Sequence, residues 1–212
     1  MNINIVAVKK GEKVNVTVPT GNFGNILAAY FAKQMGIPFD KLICASNDNK
    51  VLYDFFETGE YDKNREFILT SSPSMDILVS SNLERLLYLS CGCDAEQTKA
   101  MMESLSKTGK YEITAEMKAF MADFCAGYAG MEENAATIKA LYEDTGYLID
   151  THTGVAAAVH RAYKNASGDG KKTIIASTAS PYKFSESVIK AVCQDVQAGG
   201  EFDLIDKLEQ LS

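Results

Sequence analysis

Six consecutive residues, Thr20-Gly21-Asn22-Phe23-Gly24-Asn25, have the makings of an anion cradle. They follow a strand-like run ending at Pro19 and lead into a helix-like run, Ile26 to Met35. Glycine opens backbone angles closed to other residues and lets a ligand approach the main chain. The first amides of a helix lack intrahelical acceptors, and the dipole there favours negative charge. Phosphate suits that chemistry. The amides of Gly21 to Asn25 would be the donors, with the side chains of Thr20, Asn22 and Asn25 as further partners. The same spacing also fits a strand-to-helix turn that binds nothing.

Other reactive residue types are sparser. Cys91-Gly92-Cys93 could form half a metal site, but no second pair or nearby histidine completes it. Buried or boundary thiols are the better account, and no metal is expected. His152 stands at a predicted helix start, where capping or packing is favoured over a general base. Lys183 suits either a phosphate or an exposed first helical turn. Ser81 and Glu84 are spaced as a capping box, with Arg85 free to meet a phosphate or pair with an acid.

Alternating strands and helices would position these residues. Val14 to Val18 alternates apolar and polar, the pattern of a half-buried strand. Leu27, Phe31 and Met35 give the next helix an apolar face, with Tyr30 beside them. Lys41 to Ala45 reads as a buried strand, Val51 to Glu57 as a short helix, and Phe67 to Leu69 as a further strand. From Ser81 to about Gly130 the pattern is helical only, with Met117, Phe120, Met121, Phe124 and Cys125 marking the last helix. Helices then recur at Asn134 to Asp144 and Thr153 to Tyr163, and residues 165–172 form a polar, mobile connector. Thr173 to Ala176 is a buried strand, followed by helices at Ser185 to Gln197, with Val188, Val192 and Val196 on one face, and at Phe202 to Leu211. This order predicts a three-layer α/β sandwich with a mainly parallel sheet. Residues 1–212 would form one unit with a helical insertion at about 81–130.

The chain has 212 residues, 46% hydrophobic and 23% charged, as in soluble globular proteins. Its net charge of −7 argues against nucleic acid and against an anionic membrane surface as partners. No apolar run approaches the roughly 20 residues a membrane helix needs. Five cysteines, an odd number without framework spacing, fit a reducing cytoplasm.

Several segments together resemble one family. Val18-Pro19-Thr20-Gly21-Asn22-Phe23-Gly24-Asn25 is similar to the cofactor-phosphate loop of threonine synthases, fold type II enzymes that use pyridoxal phosphate. Ser72-Pro73-Ser74-Met75-Asp76-Ile77 and Ser81-Asn82-Leu83-Glu84-Arg85 resemble the family's SPSMDI and SN-x-ER stretches. Asp150-Thr151-His152-Thr153 is similar to its D-P-H-T, and Ser177 to Phe184 to its T-A-H-P-x-K-F, with Thr151 and Ser180 as departures. The resemblance implies conversion of O-phospho-L-homoserine and water to L-threonine and phosphate. It assigns the cofactor phosphate to Thr20, Gly21, Asn22, Phe23, Gly24 and Asn25, with Phe23 mainly an anchor. It places a hydroxyl, Thr178 or else Ser177, against the pyridine nitrogen; a cap on the following helix is the structural alternative for Thr178.

The family's Schiff-base lysine precedes the glycine loop. Here Lys9, Lys10 and Lys13 precede it, in a polar stretch without the family's context. The chain thus resembles the C-terminal part of a threonine synthase, truncated or the product of a split gene, and is expected to be inactive alone. Its expected partners are a phosphorylated amino acid and the N-terminal part of the same enzyme. Another fold type II lyase or synthase, or a non-catalytic module binding a phosphorylated metabolite, is the alternative.

Overall fold

The computed structural model describes residues 8–193 and 200–212. Four parallel strands form the main sheet: β1 (Val14–Pro19), β2 (Phe39–Ser46), β5 (Phe124–Tyr128) and β6 (Thr173–Ile175), in the order β5-β2-β1-β6. A second, antiparallel pair joins β3 (Glu60–Asp62) to β4 (Lys110–Glu112). Because the main strands are parallel, their carboxyl ends share one edge, where α/β sheets bind ligands.

Helices cover both faces, giving the expected three layers. Leu42 and Cys44 of β2 turn towards α1 (Gly24–Gln34), α2 (Val51–Thr58) and α3 (Leu83–Ser90). Ile43 and Ala45 turn the other way, towards Val155, Ala158 and Val159 of α7 (Thr151–Ser167). That alternation is the period-two geometry of a strand buried on both sides. Behind α7 lie α6 (Met131–Thr145), α8 (Ser185–Val192) and α9 (Glu201–Leu211), with Ile138, Val188 and Leu208 fully buried among them. Expulsion of water from such side chains is worth about 1.5–3 kcal/mol each.

Several expectations need correction. β1 is buried at every position, Asn15 and Thr17 included, because it is a central strand. On α1 the expected Leu27 and Tyr30 are buried, together with Ile26, whereas Phe31 and Met35 are exposed, so the apolar face is confined to the first two turns of the helix. Residues 67–69 form no strand: they are exposed and belong to neither sheet. The stretch 81–130 is not purely helical. It holds α4 (Ala95–Thr108) and α5 (Ala115–Phe120), but also β4 and β5. Phe124 and Cys125, at helical spacing from Met117 and Met121, lie in β5, where pairing with Leu42 and Ile43 overrides the pattern.

β6 is an edge strand and only half-buried. The connector before it is pinned rather than mobile: Asp169 accepts from Asn15 Nδ2 (3.0 Å), Tyr163 Oη (3.1 Å) and Lys171 N (2.9 Å). Those bonds hold its carboxyl far below the usual range. α8 is helical through Val192; the predicted continuation through Val196 to Gln197 lies outside the described residues.

Candidate functional site

A cleft of about 280 Å³ opens at the carboxyl ends of β1 and β6. The turn after β1, the turn after β6, Ser74, Asn82, His152 and Lys183 line it. Sequence reading put Thr20 to Asn25 and Thr178 into a common site, and the fold brings them to this cleft because β1 and β6 are parallel neighbours.

Each residue of the turn has a separate part. The Thr20 amide donates to Ala45 O (2.8 Å) and its hydroxyl to Val18 O (2.7 Å). Both hydrogens serve the sheet end, so the Thr20 side chain is not the spare donor expected of it. Gly21 is buried, and its carbonyl accepts from Ser80 Oγ at 2.7 Å. A Cβ there would lie 2.7 Å from the carbonyl oxygen of Ser74, so only glycine fits without a shift. The Asn22 carbonyl accepts from Asn82 N (3.1 Å) and Asn82 Nδ2 (2.8 Å), and its Oδ1 accepts from Ser81 Oγ (3.3 Å). Ser81 therefore braces the turn. It does not cap α3, whose N-cap is Asn82, and the capping-box reading falls.

Phe23 is the N-cap of α1 at φ +65°, a left-handed conformation uncommon for a residue with a side chain. Its ring is held in the core against Phe56 (6.0 Å) and Phe124 (5.7 Å). The aromatic side chain anchors the turn, while the reversed backbone starts the helix at Gly24. The first bond back to the cap is Leu27 N to Phe23 O at 3.1 Å, and no side chain caps this end. The amides of Gly24, Asn25 and Ile26 thus lack intrahelical acceptors at the cleft wall. Aligned peptide dipoles add a partial positive charge there, favourable to an anion.

Across the cleft, Thr178 is exposed and borders the same space. It caps nothing: the cap of the next turn is Ser180, whose Oγ accepts from Tyr182 N at 3.3 Å. Lys183 is the cation among the described lining residues, its Nζ 5.5 Å from the Phe184 ring centre. A local cation and free amides can hold a phosphate despite the global charge of −7.

Sequence reading left Ser74, Asn82, His152 and Lys183 out of the site. Their presence in quoted motifs was the available signal; which way they faced depended on α7. Asp150 caps that helix, accepting from His152 N (2.8 Å), Thr153 N (3.4 Å) and the Thr153 hydroxyl. Burial would raise the Asp150 carboxyl, but hydrogen bonds from His152 and Thr153 outweigh it and hold the group below the usual range. The His152 ring lies between Asp150 Oδ1, 3.0 Å from Nδ1, and the Ser74 amide, which donates to Nε2 at 3.1 Å.

The cysteines Cys44, Cys91, Cys93, Cys125 and Cys193 are free, and burial raises Cys44 to about 12, making it inert at neutral pH. Among the described residues no group of His, Cys, Asp or Glu is gathered as a metal site, and no helix is long and apolar enough to cross a membrane.

Residues 153–212 match the family model described as "Threonine synthase, C-terminal". Threonine synthase of Saccharomyces cerevisiae is 36% identical over 220 residues, covering 96% of this chain. The crystal structure of a PLP-bound threonine synthase from Brucella melitensis superposes with a TM-score of 0.81 at 37% identity over 93% of this chain. The chain belongs to the threonine synthase family. Human threonine synthase-like 1 is 42% identical over 184 residues. The chain spans 24% of that human relative's length, 43% of the yeast enzyme and 42% of the Brucella chain. Its α/β architecture is that of the family's fold type II enzymes.

Proposed function

We propose that this chain supplies the cofactor-phosphate half of a pyridoxal-phosphate cleft in an enzyme that converts O-phospho-L-homoserine and water to L-threonine and phosphate. The observation that carries the reading is the uncapped first turn of α1, open to a cleft that Thr178 and Lys183 also line. Such a helix start fits a phosphate dianion without several lysines. The amides of Gly21, Asn22, Phe23, Gly24 and Asn25 would ligate the phosphate, and the missing Cβ at Gly21 lets Ser74 close the wall behind them. Thr178 would offer the ring nitrogen a neutral hydroxyl. When bound, the cofactor supplies the electron sink for carbanion chemistry.

Lys9, Lys10 and Lys13 are exposed, and none lines the cleft. Lys183, the lysine that does line it, follows the glycine turn in sequence and would serve the phosphate, so on this reading the covalent lysine chemistry falls to the N-terminal part of the enzyme. The same exposure keeps open a second reading, a module that binds a phosphorylated metabolite without catalysis. Five free thiols fit a cytoplasmic setting for either.

The test is a matched titration of the chain with pyridoxal 5′-phosphate and with pyridoxal, which lacks the phosphate. The phosphorylated compound should bind and be displaced by inorganic phosphate. Equal binding of both, unaffected by phosphate, would remove the cradle.

A further inference from the structure

His152 joins two parts of the cleft that are far apart in sequence. Its ring is 2% exposed and packs against Phe184, with ring centres 4.7 Å apart. Asp150 is a hydrogen-bond acceptor for Nδ1 at 3.0 Å, and its oxygens also collect the amide of His152 and the hydroxyl of Thr153. A carboxylate can only accept, so the Nδ1 edge must carry the proton. Nε2 is then left with a lone pair, and the Ser74 amide donates to it at 3.1 Å. Both ring nitrogens are satisfied in one neutral tautomer only. An imidazole protonated on Nε2 would point a hydrogen at the Ser74 amide.

Ser74 belongs to a strap, residues 72–82, that crosses the glycine turn. Its carbonyl stands where a Cβ of Gly21 would be, Ser80 Oγ donates to Gly21 O at 2.7 Å, and Asn82 donates twice to Asn22 O. The far end is fixed by Tyr61, whose phenol oxygen accepts the Ser80 amide at 2.8 Å. The near end is fixed at Ser74 by His152 and at Asp76 by Asn47 Nδ2 (2.7 Å) and Thr70 N (2.8 Å). Of these tethers, His152 alone ties the strap to α7 and lines the cleft itself.

We infer that His152 is a positioning residue, a fixed-tautomer acceptor that holds Ser74 and sets how closely the strap closes on Gly21. It transfers no proton. That this spacing matters for phosphate rests on the proposed function; that His152 fixes Ser74 does not.

The test uses the full chain labelled with ¹⁵N, with His152→Phe to remove the acceptor and His152→Gln to replace Nε2 by an amide oxygen. Three readouts are taken: the tautomer of each imidazole, hydrogen exchange at the Ser74 amide, and affinity for inorganic phosphate and pyridoxal phosphate. In the wild type one imidazole, lost in both variants, should carry its proton on Nδ1. Ser74 exchange should rise about tenfold or more in His152→Phe and return most of the way in His152→Gln. Affinity for both probes should follow the same order, by roughly two- to tenfold, the worth of one neutral hydrogen bond. An Nε2-protonated His152, or Ser74 protection equal in wild type and His152→Phe, overturns the inference, as does failure of His152→Gln to restore it. The wild-type tautomer and Ser74 protection decide the matter even if His152→Phe does not fold. A wild type with the expected tautomer and Ser74 protection that binds neither probe would overturn the phosphate reading while leaving the tether established.

Discussion

Gly21 and Phe23 sit two residues apart and are constrained in opposite ways. Gly21 lacks room for a methyl group because the Ser74 carbonyl occupies it at 2.7 Å. Gly21→Ala should displace the strap, cost about 1–3 kcal/mol of stability by overpacking, and weaken phosphate binding, as urea unfolding and a phosphate titration of the variant would show. Phe23 tolerates a left-handed backbone because its ring is 1% exposed in an aromatic cluster. Phe23→Ala should cost about 3–5 kcal/mol, read as a lower urea midpoint; a loss under about 1 kcal/mol would mean that the ring does not anchor the turn. The glycine was legible as a ligand feature, but its steric reason was not, because Ser74 is fifty-three residues away in sequence. Thr20 shows the same limit. Its hydroxyl looked available for phosphate, and only the sheet end reveals that Val18 O takes its hydrogen.

The start of α7 is set by a single carboxylate, and its electrostatics give a pH signature. The folded Asp150 carboxyl is depressed, because hydrogen bonds from His152 and Thr153 outweigh its burial. A depressed folded value means stability that is full above the unfolded value of about 3.9 and is lost as pH falls through the folded one. Asp150→Ala should therefore be less stable than wild type at pH 7, by about 0.5–2 kcal/mol for the lost cap, and the gap should narrow below about pH 4. Urea midpoints across pH 2.5–7, an assay window of about that width, would reveal it; a gap constant with pH would contradict the assignment. The order of strands and helices around this element was readable from periodicity. The strap and β5 were not. Residues 66–82 draw their order from side-chain bonds to Asn47, Asn49 and Asp76, which leave no periodic trace. β5 owes its state to the β2 edge rather than to its own helical spacing.

At the scale of the whole molecule, the parallel sheet accounts for the site: β1 and β6 bring residues 21 and 178 to one edge. The alternation of strands and helices made that arrangement legible in advance, and the family resemblance supplied its chemical meaning. The edge position of β6 and the part of His152 required the packed structure. Incubated with pyridoxal phosphate and O-phosphohomoserine, the chain alone should form no threonine, since Lys9, Lys10 and Lys13 lie away from the cleft; turnover at an ordinary enzymatic rate would refute that division of labour. The central claim is that the turn after β1 is a phosphate cradle. It is tested most directly by following the backbone amide resonances of the ¹⁵N-labelled chain while pyridoxal 5′-phosphate is added. The account predicts saturable shifts centred on Gly21 to Asn25, with Thr178 following and inorganic phosphate reproducing the loop component. Shifts confined to surface lysines, or a glycine turn unmoved at saturation, would contradict it.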